Sequence, residues 1–242
     1  VIWVDVFVPR DVPAGRYAGA YMVTSDQGAV QGDIILDVWD FSLPRQPSLS
    51  SSFLVWSRDG VPVIRELLRH KLNAGKVPVG QQRSLFDEFG LRSADLGFWS
   101  GADMGRCSML PPPSASQLGA ALAAHAPELF LYNYTADEID RCPALVEPLK
   151  QWSRALHAAG VRNLVTMAPT AALLDDGTGT GRSAVDIWSI LPVTFDRHRA
   201  MVQEAMNKGD EIWSYNSFVQ DPYSPKWLID FDRITFRIQP GF

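Results

Sequence analysis

Apolar residues recur along this chain with two different periods. Between residues 2 and 39 they fall in three β-rich stretches, IWVDVFV (2–8), RYAGAYMVT (16–24) and AVQGDIILDVW (29–39). Loose alternation and β-branched or aromatic content predict strands there. Pro9, Pro13 and Gly15 separate the first from the second, and Asp26, Gln27 and Gly28 make a turn before the third. Strands joined by short turns predict an antiparallel meander. Three strands are too few to stand alone. Residues 1–43 are therefore expected to be the last strands of an antiparallel β-sandwich whose beginning lies upstream.

The stretch FSLPRQPSLSSS (41–52) holds two prolines and five serines, which predicts a linker at 44–52. Beyond it the period changes. Short apolar runs, FLVW (53–56), LGFW (96–99), ELFLYNYT (128–135), RNLVTMAP (162–169), VDIWSILP (185–192) and EIWSYNSFV (211–219), alternate with amphipathic segments at 61–73, 115–125, 143–159 and 195–208. A weaker strand is expected near 74–79. Within 143–159, Leu145, Leu149, Trp152 and Leu156 repeat at three- and four-residue spacing, so one helical face is apolar. Gly160 then suits a C-cap. Alternation of this kind predicts parallel βα units. The expected fold class is α/β: an incomplete (β/α)8 TIM-type barrel over 53–242, truncated before closure because no eighth strand is visible. A nucleotide-binding open sheet would need a glycine-rich turn after its first strand. FLVW is followed instead by SRDG, and GTGTG (177–181) follows no strand, so it reads as a flexible loop.

Composition narrows the function classes. The net charge is −5 and no run of Lys or Arg is long, so the basic patch of a nucleic-acid binder is missing. No stretch approaches the roughly 20 apolar residues of a membrane helix. Cys107 and Cys142 are too few for a disulfide framework and lack metal-ligand spacing; one bridge or two buried free thiols both fit. Eight tryptophans suit core packing or the stacking of sugar rings, and composition does not choose between them. His70, His125, His157 and His198 fall in predicted helices without mutual metal spacing and are expected to be surface or packing residues. Neither a metal site nor a cofactor is expected.

In a βα barrel, chemistry collects at the C-terminal ends of the strands. That rule sorts the three Asp-Glu dipeptides. Asp87-Glu88 is remote from any expected strand, and Asp210-Glu211 precedes one. Asp137-Glu138 directly follows ELFLYNYTA and alone belongs at a strand top. Successive side chains diverge along a strand, so two adjacent carboxylates can approach a sugar from different directions. One can protonate the leaving oxygen while the other orients a substrate group. An ordinary retaining glycosidase places its carboxyl groups about 5–5.5 Å apart across the anomeric carbon. The adjacent pair points instead to hydrolysis assisted by a 2-acetamido group of the sugar. Two solvated loop carboxylates, or a helix N-cap, would give the same dipeptide. Tyr132, Asn133 and Tyr134 flank the pair, and by alternation at least one should point inward; Tyr134 is the candidate to bind substrate. Trp188, Trp213 and Tyr215 suit a pocket wall or the barrel core, and Asp186 suits a substrate ligand or a structural role.

IWVDVFVPRDVPAGRYAGAYMV, followed by LDVWDFSLPRQPSLSSSF, resembles the sandwich-to-barrel junction of family-123 glycoside hydrolases, and more so that of a related uncharacterised bacterial family. LFLYNYTADE resembles their fourth barrel strand, and VDIWSILP and EIWSYNS their sixth and seventh. The resemblance implies a β-N-acetylgalactosaminidase acting by the substrate-assisted route. It implies Glu138 as general acid/base, Asp137 as the residue orienting the acetamido group, and Tyr215 as donor to the acetamido carbonyl. The expected partner is a carbohydrate, and the expected location is extracellular, periplasmic or the cell envelope. The alternative is a catalytically silent carbohydrate-binding or cell-envelope protein that keeps the same scaffold.

Overall fold

A computed structural model describes residues 4–55 and 60–215. The chain divides into two compact units, with the boundary between Ser48 and Leu49, inside the segment 44–52.

The first unit is a hairpin. β1 (Gly15–Ser25) pairs antiparallel with β2 (Gly28–Val38) in uninterrupted register from Gly15–Val38 to Ser25–Gly28. Gly28, at φ 129°, sits in a turn region closed to most side chains. A Cβ on Gly32 would lie 2.5 Å from the Tyr21 hydroxyl on the facing strand, so the Tyr21 ring lies over a position without a side chain. Of the three strands expected here, the described residues form two. Residues 4–9 belong to no strand, and the hairpin exposes Tyr21, Met22, Val30 and Ile35. Residues 2 and 3 of the expected first strand lie outside the described residues.

The second unit carries a parallel sheet of five strands in sequential order: β3 (Ser93–Asp95), β4 (Phe130–Asp137), β5 (Arg162–Thr166), β6 (Ile187–Ile190) and β7 (Glu211–Ser214). Its helices are α1 (Gly60–Arg69), α2 (Val79–Phe89), α3 (Ala115–Ala124), α4 (Val146–Ala158), α5 (Pro192–Arg197) and α6 (Arg199–Asn207). This corrects the (β/α)8 expectation: the described residues hold seven strands, two of them in the hairpin, and six helices. The first two expected barrel strands shrink to a single parallel bridge between Phe53 and Ala74. The reason is local. Residues 79–89, of which the sequence places only 79 in an element, form α2, which Gly90 ends in a left-handed cap at φ 77°. Too little extended chain is left at 74–79 for a ladder. LGFW (96–99) likewise is no strand, because Gly97 at φ 93° turns the chain just after β3. Trp56 and residues 216–219 of the expected strands lie outside the described residues.

The sheet is strongly curled. Tyr132 on β4 and Trp213 on β7 are three strand spacings apart, which in a flat sheet is about 14 Å. Their ring centroids are nevertheless 5.2 Å apart, edge to face. Pairing of Leu164 with Ile187, and of Ser189 with Trp213, puts these residues on the concave face. Tyr132, Leu164 and Ile187 are buried there, with Tyr134 and Trp213 packed on them.

The convex face carries Ala136, Val165, Trp188 and Ile190 into the largest core, with Leu145, Leu149, Val202 and Ala205. The apolar stripe of α4 is buried as its spacing predicts. After α4 the chain turns at Gly160, φ 74°, where the Val161 N–H returns to the Leu156 carbonyl. α3 begins with a reciprocal capping box between Ser114 and Gln117.

Candidate active site

The C-terminal end of β4 departs from regular strand geometry twice in succession, and both departures redirect a carboxylate. Tyr134 pairs with Leu164, but the next pair is Ala136 with Val165, so Thr135 is an extra residue in the ladder. Without that bulge, strict alternation after the inward Tyr134 would turn Ala136 inward and drive Asp137 into the apolar layer under the helices. The bulge reverses this. Ala136 is fully buried beside Val165 on the convex face, and Asp137 pairs with Thr166 on the concave one. The bulge is braced from within: the Asn133 side chain donates to Thr135 Oγ1 at 2.9 Å, and the Ser100 N–H donates to the Thr135 carbonyl at 3.2 Å.

Glu138 is the second departure. Its backbone is left-handed, φ 46° and ψ 47°, a conformation that disfavours a residue with a Cβ. Its N–H donates to the Thr166 carbonyl at 2.7 Å, which fixes the turn. Strain of this kind on a charged residue at a strand end is typical of functional sites. Both carboxylates are exposed.

Each carboxylate accepts from a tyrosine. The Tyr134 hydroxyl donates to Asp137 Oδ1 at 2.9 Å and accepts from Thr166 Oγ1 at 2.8 Å. The Tyr215 hydroxyl, arriving from the end of β7, donates to Glu138 Oε1 at 2.9 Å. Burial pushes the ionisation of Tyr134 well above its ordinary range, and the negative charge at Asp137 and Glu138 adds to the rise. Tyr215 is raised in the same way, first by burial and then by its bond to Glu138. Both phenols therefore remain neutral donors at physiological pH. On the β3 side, buried Asp95 accepts from the N–H groups of Gly97 at 3.1 Å and Tyr134 at 3.0 Å, standing in for ladder carbonyls where the strand has ended. Burial pushes the Asp95 carboxyl up.

Of the residues expected from sequence, the structure brings together Tyr134, Asp137, Glu138 and Tyr215. Trp213 lies one layer deeper on the same concave face, against Tyr132, with its indole N–H donating to Glu211 Oε2 at 2.9 Å. Trp188 is elsewhere. It is fully buried on the convex face and donates to Asp210 Oδ2 at 2.9 Å, so it is a core residue. Asp186 is at the other end of the sheet, just before β6. It bonds His157 Nε2 at 2.9 Å, the Asn163 N–H at 2.7 Å and the Arg182 guanidinium at 2.7 Å. Burial alone would raise its pKa, but these bonds outweigh it and hold the carboxyl low. Among the described residues no group of three or more His, Cys, Asp or Glu could hold a metal ion.

Two features of the site escaped the sequence. Thr166 and the Thr135 bulge leave no periodic trace, because one inserted residue resembles ordinary strand composition. Trp99 belongs to a stretch with strand composition, yet it stands 45% exposed beside the site, its ring T-shaped to Tyr134 at 5.4 Å. Cys107 and Cys142 form a disulfide, Cα–Cα 5.4 Å, which ties the loop after β3 to the turn just beyond Glu138. No protein-family model matches the chain, and no curated protein matches it. Among the described residues no helix is long and apolar enough to cross a membrane.

Proposed function

We propose that this protein is a glycosidase of the β-N-acetylhexosaminidase type, acting on N-acetylgalactosamine-like sugars by substrate-assisted, retaining hydrolysis. One observation carries the reading. Two adjacent carboxylates at one strand end, one re-aimed by a bulge and the other by a left-handed backbone, each accept a bond from a neutral tyrosine. The resemblance of the strand segments to family-123 glycoside hydrolases supports the same chemistry.

In this mechanism the acetamido carbonyl oxygen attacks the anomeric carbon as the glycosidic C–O bond breaks. Glu138 delivers a proton to the leaving oxygen. Its Oε1 accepts from Tyr215, which leaves Oε2 to carry that proton. Asp137 accepts from the acetamido N–H and stabilises the charge developing on the nitrogen. Its second contact, to Tyr134, restricts its rotation. Tyr215 donates to the acetamido carbonyl once the sugar displaces its bond to Glu138. Water then adds to the anomeric carbon with Glu138 as base. The configuration is retained and the acetamido group regenerated. The Cys107–Cys142 bridge is consistent with an oxidising compartment such as the periplasm or cell exterior.

The test is hydrolysis of paired aryl β-glycosides that differ only in a 2-acetamido or a 2-hydroxyl group. Release of the aryl alcohol from the acetamido member alone is the expected result. Equal release from both would exclude substrate assistance. Sugar binding without turnover would favour a carbohydrate-binding role for the same face.

A further inference from the structure

Trp99 is an exposed indole on an unusually well-anchored backbone. The residue before it, Phe98, is clamped on both sides by Asn133, whose side chain accepts from the Phe98 N–H at 3.0 Å and donates to the Phe98 carbonyl at 2.9 Å. The residue after it, Ser100, donates its N–H to the Thr135 carbonyl at 3.2 Å and accepts from the Leu110 N–H at 2.8 Å. Further along, Asp103 and Ser108 pair as a bridge, and Cys107 is bonded to Cys142. Trp152 Nε1 holds the Leu110 carbonyl at 2.8 Å. A free loop would fold a large apolar ring inward to remove it from water. Here the backbone holds Trp99 at 45% exposure, its ring in a T-shaped contact with Tyr134. Tyr134 in turn donates to Asp137. The exposed indole therefore begins one side chain away from the carboxylate pair.

We infer that Trp99 is a substrate-binding platform: its indole stacks on the apolar face of the pyranose whose 2-acetamido group Asp137 orients. The inference rests on the proposed glycosidase reading for the identity of the sugar, but not for the existence of the platform. An indole suits this task because it offers a large flat apolar surface with little rotamer entropy to lose. The other tryptophans near the sheet serve differently. Trp188 is fully buried in the convex core, and Trp213 is packed edge-to-face under Tyr132. Trp99 borders the loop after β3, so the loop that presents the platform is the same one the disulfide fastens beside Glu138.

The experiment is calorimetric titration of the purified protein with two monosaccharides, N-acetylgalactosamine and galactose, neither of which can be turned over. It uses the wild type, Trp99→Ala and Trp99→Phe. Thermal melts of the three proteins are compared to establish folding, which an exposed ring should leave nearly unchanged. The expected result is binding of N-acetylgalactosamine by the wild type, about tenfold weaker binding by Trp99→Ala, the scale of one aromatic stack, and recovery of most of that loss in Trp99→Phe. Equal affinity in wild type and Trp99→Ala would overturn the platform and leave the glycosidase reading standing. Binding of both sugars alike, still dependent on Trp99, would keep the platform and overturn the acetamido assignment. No binding of either sugar by the wild type would overturn both.

Discussion

The left-handed backbone of Glu138 makes a prediction about stability that can be tested apart from activity. Replacing Glu138 with Ala or with Gly removes the same carboxylate and the same bond from Tyr215. The two variants differ only in a Cβ held at φ 46°, ψ 47°. An L-residue in that region costs about 1–2 kcal/mol. Glycine gives back about 0.5–1 kcal/mol through its greater freedom in the unfolded chain. The balance favours Glu138→Gly over Glu138→Ala by about 0.5–1 kcal/mol. In a chain of 242 residues that is worth about 1–4 °C in Tm. The sign is informative, because at ordinary helical or strand positions alanine is the more stable of the two. The assay is urea denaturation followed by tryptophan fluorescence, with thermal melts in parallel. Both variants should be inactive. If the alanine variant proves as stable as the glycine variant or more so, Glu138 is not held under strain. The argument that the site tolerates a cost for the sake of this carboxylate would then fail.

Other consequences can be checked as directly. The disulfide closes a sequence separation of 35 residues, so Cys107→Ser with Cys142→Ser should lose about 3–4 kcal/mol by loop-closure entropy; a loss under about 1 kcal/mol in urea melts would show that the loop is held by its other contacts. Asp186 has a depressed folded pKa, so its stabilising contribution is complete above its unfolded value of about 3.9 and disappears as pH falls through the lower folded value. Asp186→Asn, which leaves His157 and Arg182 without their shared carboxylate, should therefore destabilise the protein near neutral pH by about 3 kcal/mol and flatten the acid limb of its Tm–pH curve. An unchanged acid limb would assign that pH dependence to other carboxylates.

The parts of the fold that follow from repeating side-chain spacing were legible in the sequence. The α4 stripe of Leu145, Leu149, Trp152 and Leu156 is buried throughout, and the runs that give β4, β5, β6 and β7 lie at or near their expected places. What failed depends on closure and on single residues. Counting apolar runs suggested a barrel, but FLVW and 74–79 yield one bridge, because α2 takes up chain that could have extended the sheet. LGFW has strand composition, and Gly97 overrides it at a positive φ. The rule that strand tops carry chemistry pointed to Asp137 and Glu138, which do lie at the end of β4, although simple alternation would have turned Asp137 away from the concave face. The Thr135 bulge that corrects this cannot be read from residue types, since Thr is ordinary strand material. Trp188 and Asp186 were grouped with the site on sequence proximity to a strand. Parity along β6 sends Trp188 to the convex side, and position before the strand puts Asp186 at the opposite end.

The most direct test of the account separates the two carboxylates by the leaving group of the substrate. Wild type, Glu138→Gln and Asp137→Asn are compared by kcat/KM on two aryl 2-acetamido-2-deoxy-β-galactosides, one with an activated and one with an unactivated aryl group, with circular dichroism as the folding control. Loss of general acid help is worth about 10²–10⁴-fold. Glu138→Gln should show that loss in full on the unactivated substrate and little of it on the activated one. Asp137→Asn should slow both substrates by the same factor, since it weakens the internal nucleophile whatever departs. Near-wild-type rates for both variants on both substrates would contradict the account and move the chemistry away from the end of β4.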